Sequence, residues 1–339
     1  MDQYVGLDVS LKQTWISVRQ NRKRIWRGKC LSHPRVVAEA IRQHAPNAVL
    51  VVFETGSLST WFHHELTAAG LPAVCIDARH AKAALDTAPN KTDATDADGL
   101  SLLAEAGFFR EVRVKSWAAM QVRTLVGGRA QLIGIASDLS NQILMRTFGL
   151  VVPAGGGRIF EANVRALLEG QAALAGSILP LLEAWRAVRA QATALDRQLV
   201  AVARQNPACR LLMTVPGVGA VTALSYTTMI ENPANFGNSR AVGAFVGLTT
   251  RGYQSGEVDY DGHISRRGDK HVRALLYEAA TVMLTRVRSD SALRSWGLKL
   301  KEKVGFKRAA VALARKLAVV MHAMWRDGRV FNPATGAPA

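Results

Sequence analysis

Ala48-Val-Leu-Val-Val-Phe53 is six apolar residues in a row, ended by Glu54. A strand with one wet face alternates apolar and polar side chains, so an unbroken run marks a strand covered on both faces. The fold must then hold a sheet with helices above and below it. The neighbouring segments agree. Residues 3–9, 14–19 and 24–30 read as three short strands. Residues 34–44 read as a helix with Pro34 in its first turn, and 58–69 as another. Ala73-Val-Cys-Ile76 reads as a strand, and 79–86 as a short helix. This βββαβαβα order predicts a mixed α/β sheet with helices on both faces, over residues 1–115. Asp8 and Glu54 fall at strand ends, where open sheets of this kind place ligands.

The pattern then turns helical. Residues 116–205 read as a helical linker of two stretches, 116–150 and 175–205. Pro153-Ala-Gly-Gly-Gly157 is the best linker candidate in the chain. Trp185, Val188, Ala192, Leu195, Leu199 and Val202 recur at three and four residues, a short heptad seam. The seam predicts either a helical hairpin folded on itself or a coiled-coil-like dimerisation arm. Residues 206–330 read as a second, mainly helical domain. Residues 331–339 are rich in Pro, Gly and Ala and predict a disordered tail.

Charge narrows the partners. The 339 residues hold 43 Lys+Arg against 26 Asp+Glu, a formal net charge of +17. Such an excess suits a polyanion, nucleic acid before an anionic membrane surface. The apolar stretch from Ala309 to Met324 is interrupted by Arg315 and Lys316, so no clean span of about 20 residues forms. The sequence opens directly into a strand, without the basic and apolar stretches of a leader. Cys30, Cys75 and Cys209 are few and scattered, which fits a reducing bacterial cytoplasm better than a disulfide framework or structural zinc.

In so basic a chain, separated acids need a reason to meet. Asp93 and Asp96 lie three apart; in a helix starting near Thr92 both project from one face. Each acid also has a purely structural reading. Asp93 suits an N-cap, Asp96 a first-turn charge, and Glu54 a cap for the helix after Gly56. Asp98 lies off that face and reads as solvated. Together, however, Asp8, Glu54, Asp93 and Asp96 would repel one another without a divalent cation. Oxygen ligands suit Mg²⁺, with Mn²⁺ as a substitute, and paired ions about 3.5–4 Å apart serve in-line phosphodiester displacement.

Phe245-Val-Gly-Leu-Thr-Thr-Arg-Gly-Tyr-Gln-Ser-Gly256 reads as a small-residue loop. Gly256 frees the backbone beside Ser255, whose hydroxyl is a candidate nucleophile toward phosphorus. Ser-Gly pairs are usually turns, and Ser265 is a rival by the same logic. Arg251, Arg266, Arg267, Lys270 and Arg273 form a phosphate-clamp composition, with His263 and His271 as further phosphate contacts. Leu212-Met-Thr-Val-Pro-Gly-Val-Gly219 looks like a helix-hairpin-helix element; Pro216, Gly217 and Gly219 leave backbone N–H groups for a DNA phosphate.

These segments together resemble the DEDD transposases of insertion sequences with a C-terminal serine-bearing domain, a family of bridge-RNA-guided recombinases. The resemblance runs in order along nearly the whole chain. It rests on Gly6-Leu-Asp-Val-Ser10, Glu54-Thr-Gly-Ser57 and Lys91-Thr-Asp-Ala-Thr-Asp-Ala97, then Val215-Pro-Gly-Val-Gly219, Phe245-Val-Gly-Leu248, Tyr253-Gln-Ser-Gly256 and Ser265-Arg-Arg-Gly268. The second segment reads Glu-Thr-Gly where many members read Glu-Ala-Thr-Gly, and Ala94-Thr95 stand where bulkier polar residues are usual.

The resemblance implies a RuvC-like, RNase H-type first domain. It implies Asp8, Glu54, Asp93 and Asp96 as Mg²⁺ ligands. It implies Ser255 as the nucleophile that forms a 5′-phosphoserine link to DNA and releases a 3′-hydroxyl. It further implies donor and target DNA and a structured guide RNA as partners. Acids and serine would come from different protomers of a homo-oligomer, up to a tetramer. Base pairing would then choose the site while the protein grips backbone and shape. Three other expectations compete. A RuvC-like nuclease or junction resolvase would use water as nucleophile. A sugar-kinase-like ATPase would use Gly6-Leu-Asp-Val-Ser10 as a phosphate hairpin. A non-catalytic scaffold would only bind nucleic acid.

Overall fold

The computed structural model describes residues 1–85, 92–144, 148–256 and 258–338. Contacts divide the chain into two compact units, Met1–Ser116 and Trp117–Ala339.

The first unit is a five-stranded sheet. β1 (Gln3–Val9), β2 (Gln13–Gln20) and β3 (Lys23–Leu31) form an antiparallel meander. After α1 (Pro34–His44), β4 (Ala48–Glu54) pairs parallel to β1; after α2 (Ser59–Ala68), β5 (Ala73–Ile76) pairs parallel to β4. The strand order is β3-β2-β1-β4-β5. α3 (Ala78–Leu85) and α4 (Asp93–Ala106) complete the unit. One face packs Val5, Leu7, Val51, Phe53 and Cys75 on Val37, Ile41, Phe62 and Leu66 of α1 and α2. The other packs Val52 and Ile76 on Leu100, Leu103 and Ala104 of α4. This is the two-faced mixed sheet that the apolar run requires, and it fits a RuvC-like arrangement. The run is buried on both faces only at Val51, Val52 and Phe53; Val49 is 45% exposed.

The second unit begins with α5 (Trp117–Ile143), α6 (Arg158–Leu167) and α7 (Ala172–Gln205). The heptad seam is consumed inside the chain. Trp185, Ala192 and Leu199 are buried, and α7 packs along α5, with Arg129 bridging to Asp196 at 2.9 Å. This is the hairpin alternative. α6 had no signal in the sequence; it follows the glycine run 153–157, and Phe160 and Val164 pack beside Trp185. That run is a bend within the helical unit rather than a break between units.

α8 (Pro207–Leu212) and α9 (Ala220–Ile230) lead to α10 (Arg240–Phe245). The small-residue segment expected as a loop is mostly strand. β6 (Thr250–Ser255) and β7 (Val258–Ile264) form an antiparallel hairpin. Alternating Arg251, Tyr253 and Ser255 with Thr250 and Gln254 gives a two-residue period that glycine content obscured. α11 (Lys270–Thr285), α12 (Ala292–Val304) and α13 (Phe306–Asp327) close the unit. Leu276, Ala280, Met283, Leu313, Leu317 and Met321 form its core with the nearly wholly buried α9. Residues 331–338, expected to be disordered, are ordered. β8 (Phe331–Asn332) pairs with β9 (Ala337–Pro338), and Phe331 is buried in the core. One large aromatic anchors what composition alone marks as a tail.

Candidate active site

Backbone placement brings the strand ends that carry Asp8 and Glu54 and the N-terminus of α4 to one end of the first sheet. The register that pairs Leu7 with Phe53 carries Asp8 beside Glu54 on the neighbouring strand, where strands lie about 4.8 Å apart. Alternation puts Asp8 on the face of Gly6, and Glu54 on the face of Val52. That face is covered by α4. A Cβ on Gly6 would overlap the Ala97 carbonyl and the Ser101 amide, so the helix backbone rests directly on the strand. α4 runs antiparallel to β1. Glu105 pairs with Arg19, opposite Tyr4, while Ser101 bonds Ser17, opposite Gly6. Its N-terminus, with Asp93 and Asp96, therefore comes to the end of the sheet where Asp8 and Glu54 stand.

Thr92, not Asp93, is the N-cap: its hydroxyl accepts from the Thr95 amide, and Thr95 answers with its own hydroxyl to the Thr92 amide. Asp93 is thereby spared for solvent and is exposed, while Asp96 is half-buried. α2 starts after Leu58, which makes no side-chain cap. Asp98 corrects the sequence reading. It accepts from Ser17 Oγ at 2.7 Å, Arg24 Nη1 at 2.6 Å and Arg27 Nη1 at 2.8 Å, tying α4 to β2 and β3. Its partners lie more than 70 residues away, so spacing along the helix could not reveal them. Lys91, part of the motif ahead of Asp93, lies outside the described residues.

The donor set suits a hard divalent cation in chemistry, because all four are carboxylates. Among the described residues, no three acidic, His or Cys side chains stand close enough together to hold a metal ion. Cys75, on the neighbouring strand, is buried on the face that packs against α1 and α2. Burial, with the Glu54 charge adding to it, pushes its thiol up to about 11.

In the second unit, Ser255 is the last residue of β6 and is exposed, as is all of that strand. Gly256 follows at φ +58°, a left-handed turn that suits glycine. The hairpin's base is fixed by crossing backbones. Gly247 (φ +75°) leaves no room for a Cβ against Arg267, nor does Gly268 (φ +83°) against Phe245. Ser265 N–H donates to the Thr249 carbonyl, and Arg266 N–H to the Gly247 carbonyl. This accounts for Ser265, half-buried at the base.

The expected cations divide. Arg273 Nη1 donates to the Val246 and Arg267 carbonyls, and Arg251 Nη2 to the Ser265 carbonyl, so both brace the hairpin. Arg266, Arg267 and Lys270 are exposed around it. His263 is exposed; His271 sits at the N-terminus of α11, half-buried. Asp269 caps that helix, accepting from the His271 and Val272 amides and from Arg123 at 2.9 Å. Burial works to raise its carboxyl, but these donors outweigh it and hold it below the usual range.

The Pro216 turn joins α8 to α9. Gly217 has φ +87°, and a Cβ there would lie 2.7 Å from the Ala279 carbonyl. Gly219 is the N-cap of α9, with no side-chain cap. Pro216 is half-buried and Gly219 exposed.

A basic chain with acids at the end of a two-faced sheet and a braced serine hairpin belongs among enzymes of phosphodiester chemistry. Comparison with known proteins makes this specific. Residues 5–146 match the DEDD transposase model of IS110-type elements, and residues 209–295 match the "Transposase IS116/IS110/IS902 family" model. The chain is 30% identical over 287 residues to the transposase for insertion sequence element IS1111A of Coxiella burnetii, covering 81% of this chain and 77% of that one. It is 28% identical over 256 residues to a "Probable family 20 transposase" of Pseudomonas aeruginosa, covering 72% and 75%. It is 32% identical over 139 residues to the transposase for insertion sequence element IS1328 of Yersinia enterocolitica, covering 41% and 42%. The chain belongs to the IS116/IS110/IS902 transposase family, and is by that membership an enzyme that cleaves and transfers DNA strands. No helix among the described residues is long and apolar enough to cross a membrane.

Proposed function

We propose that this transposase excises and inserts its own insertion sequence with Ser255 as the nucleophile. Ser255 Oγ attacks the scissile phosphorus and the P–O3′ bond breaks. The serine proton passes to the departing 3′-oxygen, leaving a 3′-hydroxyl and a 5′-phosphate esterified to serine. The observation that carries this reading is the exposed placement of Ser255 at the end of a hairpin whose base is locked at Gly247 and Gly268. A nucleophile must reach a bulky duplex yet hold its direction. Asp8, Glu54, Asp93 and Asp96 would hold Mg²⁺ or Mn²⁺. Such an ion, when bound, supplies charge stabilisation at the phosphate oxygens. As the family resemblance implies, acids of one protomer and the serine of another would complete the site in a homo-oligomer. Donor and target DNA are held by backbone contacts from Arg266, Arg267 and Lys270 and by the Pro216–Gly219 turn. A structured RNA encoded by the element selects the sites by base pairing.

The test is a denaturing gel that detects a protein–DNA adduct on the element's end sequence. The wild type forms the adduct, and Ser255→Ala does not while still binding DNA. A water-using nuclease would instead cleave equally with either protein and leave no adduct. RNA recovered with the purified protein and mapped to the flanks of its gene tests the guide.

A further inference from the structure

On the hairpin that carries Ser255, Tyr253 and Tyr260 face each other across the strands, their rings stacked at 5.1 Å and 19° between planes. Stacked aromatic pairs usually hold a core together. This one is in the open: Tyr253 is 46% and Tyr260 56% exposed. Tyr253 and Ser255 are alternate residues of one strand, so they share a face and lie about 7 Å apart along it. The opposite face carries Gln254 bonded to Asp259. The ribbon thus has an acidic face and a serine–tyrosine face, and only the second suits a polyanion. Arg251, Arg266 and Arg267, all exposed, surround its base. Gly262 lies under the Tyr253 ring, where a Cβ would stand 2.8 Å from Cε2. The Tyr253 ring edge therefore rests against that strand, and the stacked pair as a whole remains open to solvent.

We propose that the Tyr253–Tyr260 pair is a stacking platform for one unpaired DNA base beside the phosphate that Ser255 attacks. The proposal rests on Ser255 being the nucleophile for the position of that base, not for its binding. A strand whose bases are unstacked spreads its phosphates to about the two-residue step of a β-strand. A base on the platform would therefore set the neighbouring phosphate over the serine. Aromatic rings hold single-stranded nucleic acid in this sequence-tolerant way.

The experiment uses the full-length protein and a single-stranded DNA oligonucleotide of the element's end, with an abasic residue stepped through each position. The wild type and Tyr253→Phe should bind the intact strand about tenfold more tightly than the strand abasic at one position, the scale of base–aromatic stacking. Tyr253→Leu, which still covers Gly262 but offers no π-face, should lose that preference and bind the intact strand as the wild type binds the abasic one. Ser255→Ala should keep the preference while forming no adduct. A wild type that makes no adduct but keeps the preference would remove the nucleophile and leave the platform standing. The platform is overturned if no position shows the preference, if Tyr253→Leu retains it, or if an RNA strand of the same sequence shows it more strongly than DNA.

Discussion

Gly6 of β1 lies directly beneath the backbone of Ala97 in α4, so close that no side chain fits between them. The contact sets the height of α4 over the sheet and hence the place of its acidic N-terminus. Gly6→Ala must lift the helix or bend the strand, and overpacking of this kind costs about 1–3 kcal/mol. The expected outcome is a lower urea midpoint together with loss of strand transfer, even though no acid has changed. An unchanged midpoint would mean that the helix does not rest on the strand.

Asp93 and Asp98 share a helix but should respond in opposite ways. Asp93 is exposed in the first turn, so Asp93→Asn removes only a favourable charge–dipole contact, less than about 1 kcal/mol. If it holds the catalytic ion, strand cleavage should fall by about 10²-fold or more. Asp98→Ala leaves Arg24 and Arg27 without their carboxylate, costing about 1–2 kcal/mol at this partly covered site. Cleavage by the protein that remains folded should persist. Urea unfolding and single-turnover cleavage, measured on both variants, separate the two roles.

The contrast shows what the sequence could carry. Strands, helix α1 and the acid-bearing strand ends were legible because apolar runs, Pro34 and period-two alternation are local signals. The partners of Asp98 and the overlap of Gly6 with Ala97 are set by contacts across 70 residues or more, which leave no local trace. The β6–β7 hairpin was missed for another reason. Glycines that its crossings and turn require read as loop, although Tyr253 and Tyr260 at matching alternate positions were a strand signal. Phe331 was overlooked because one buried aromatic does not alter the composition of a Pro/Gly/Ala-rich tail.

Asp269 gives the second unit a pH signature. Its folded carboxyl lies below the unfolded value of about 3.9, despite burial, because backbone amides and Arg123 favour the charged form. A depressed carboxylate contributes stability that is fully present above the unfolded value and is lost as pH falls through the folded one. Stability should therefore drop steeply below about pH 4. Asp269→Asn keeps an N-cap acceptor but cannot titrate. It should be less stable at pH 7, where the Arg123 pair is gone, and should lose less on going from pH 5 to pH 3. Urea midpoints of the two proteins across that range should converge; parallel curves would assign the acid sensitivity elsewhere.

Gly268 decides whether the serine hairpin acts as a rigid arm. It combines φ +83° with a carbonyl, that of Phe245, where a Cβ would go, and it is followed by Asp269, the cap of α11. Gly268→Ala faces both a left-handed backbone and a backbone collision, neither relieved by a rotamer change. A Cβ at Gly268 meets the Phe245 and Val246 backbone rather than Leu276, Met283 or Leu317 of the helical core, so thermal unfolding should remain cooperative with a reduced midpoint. Ser255 is chemically untouched, yet the hairpin that aims it is unseated. Adduct formation should fall by about 10²-fold, as small displacements of a reacting group commonly cause. Gly256→Ala strains only the turn beyond Ser255, since a Cβ there meets nothing within 4 Å, and should cost adduct formation far less. Equal losses in the two variants would place control of the serine in its own turn rather than in the crossing at the hairpin's base.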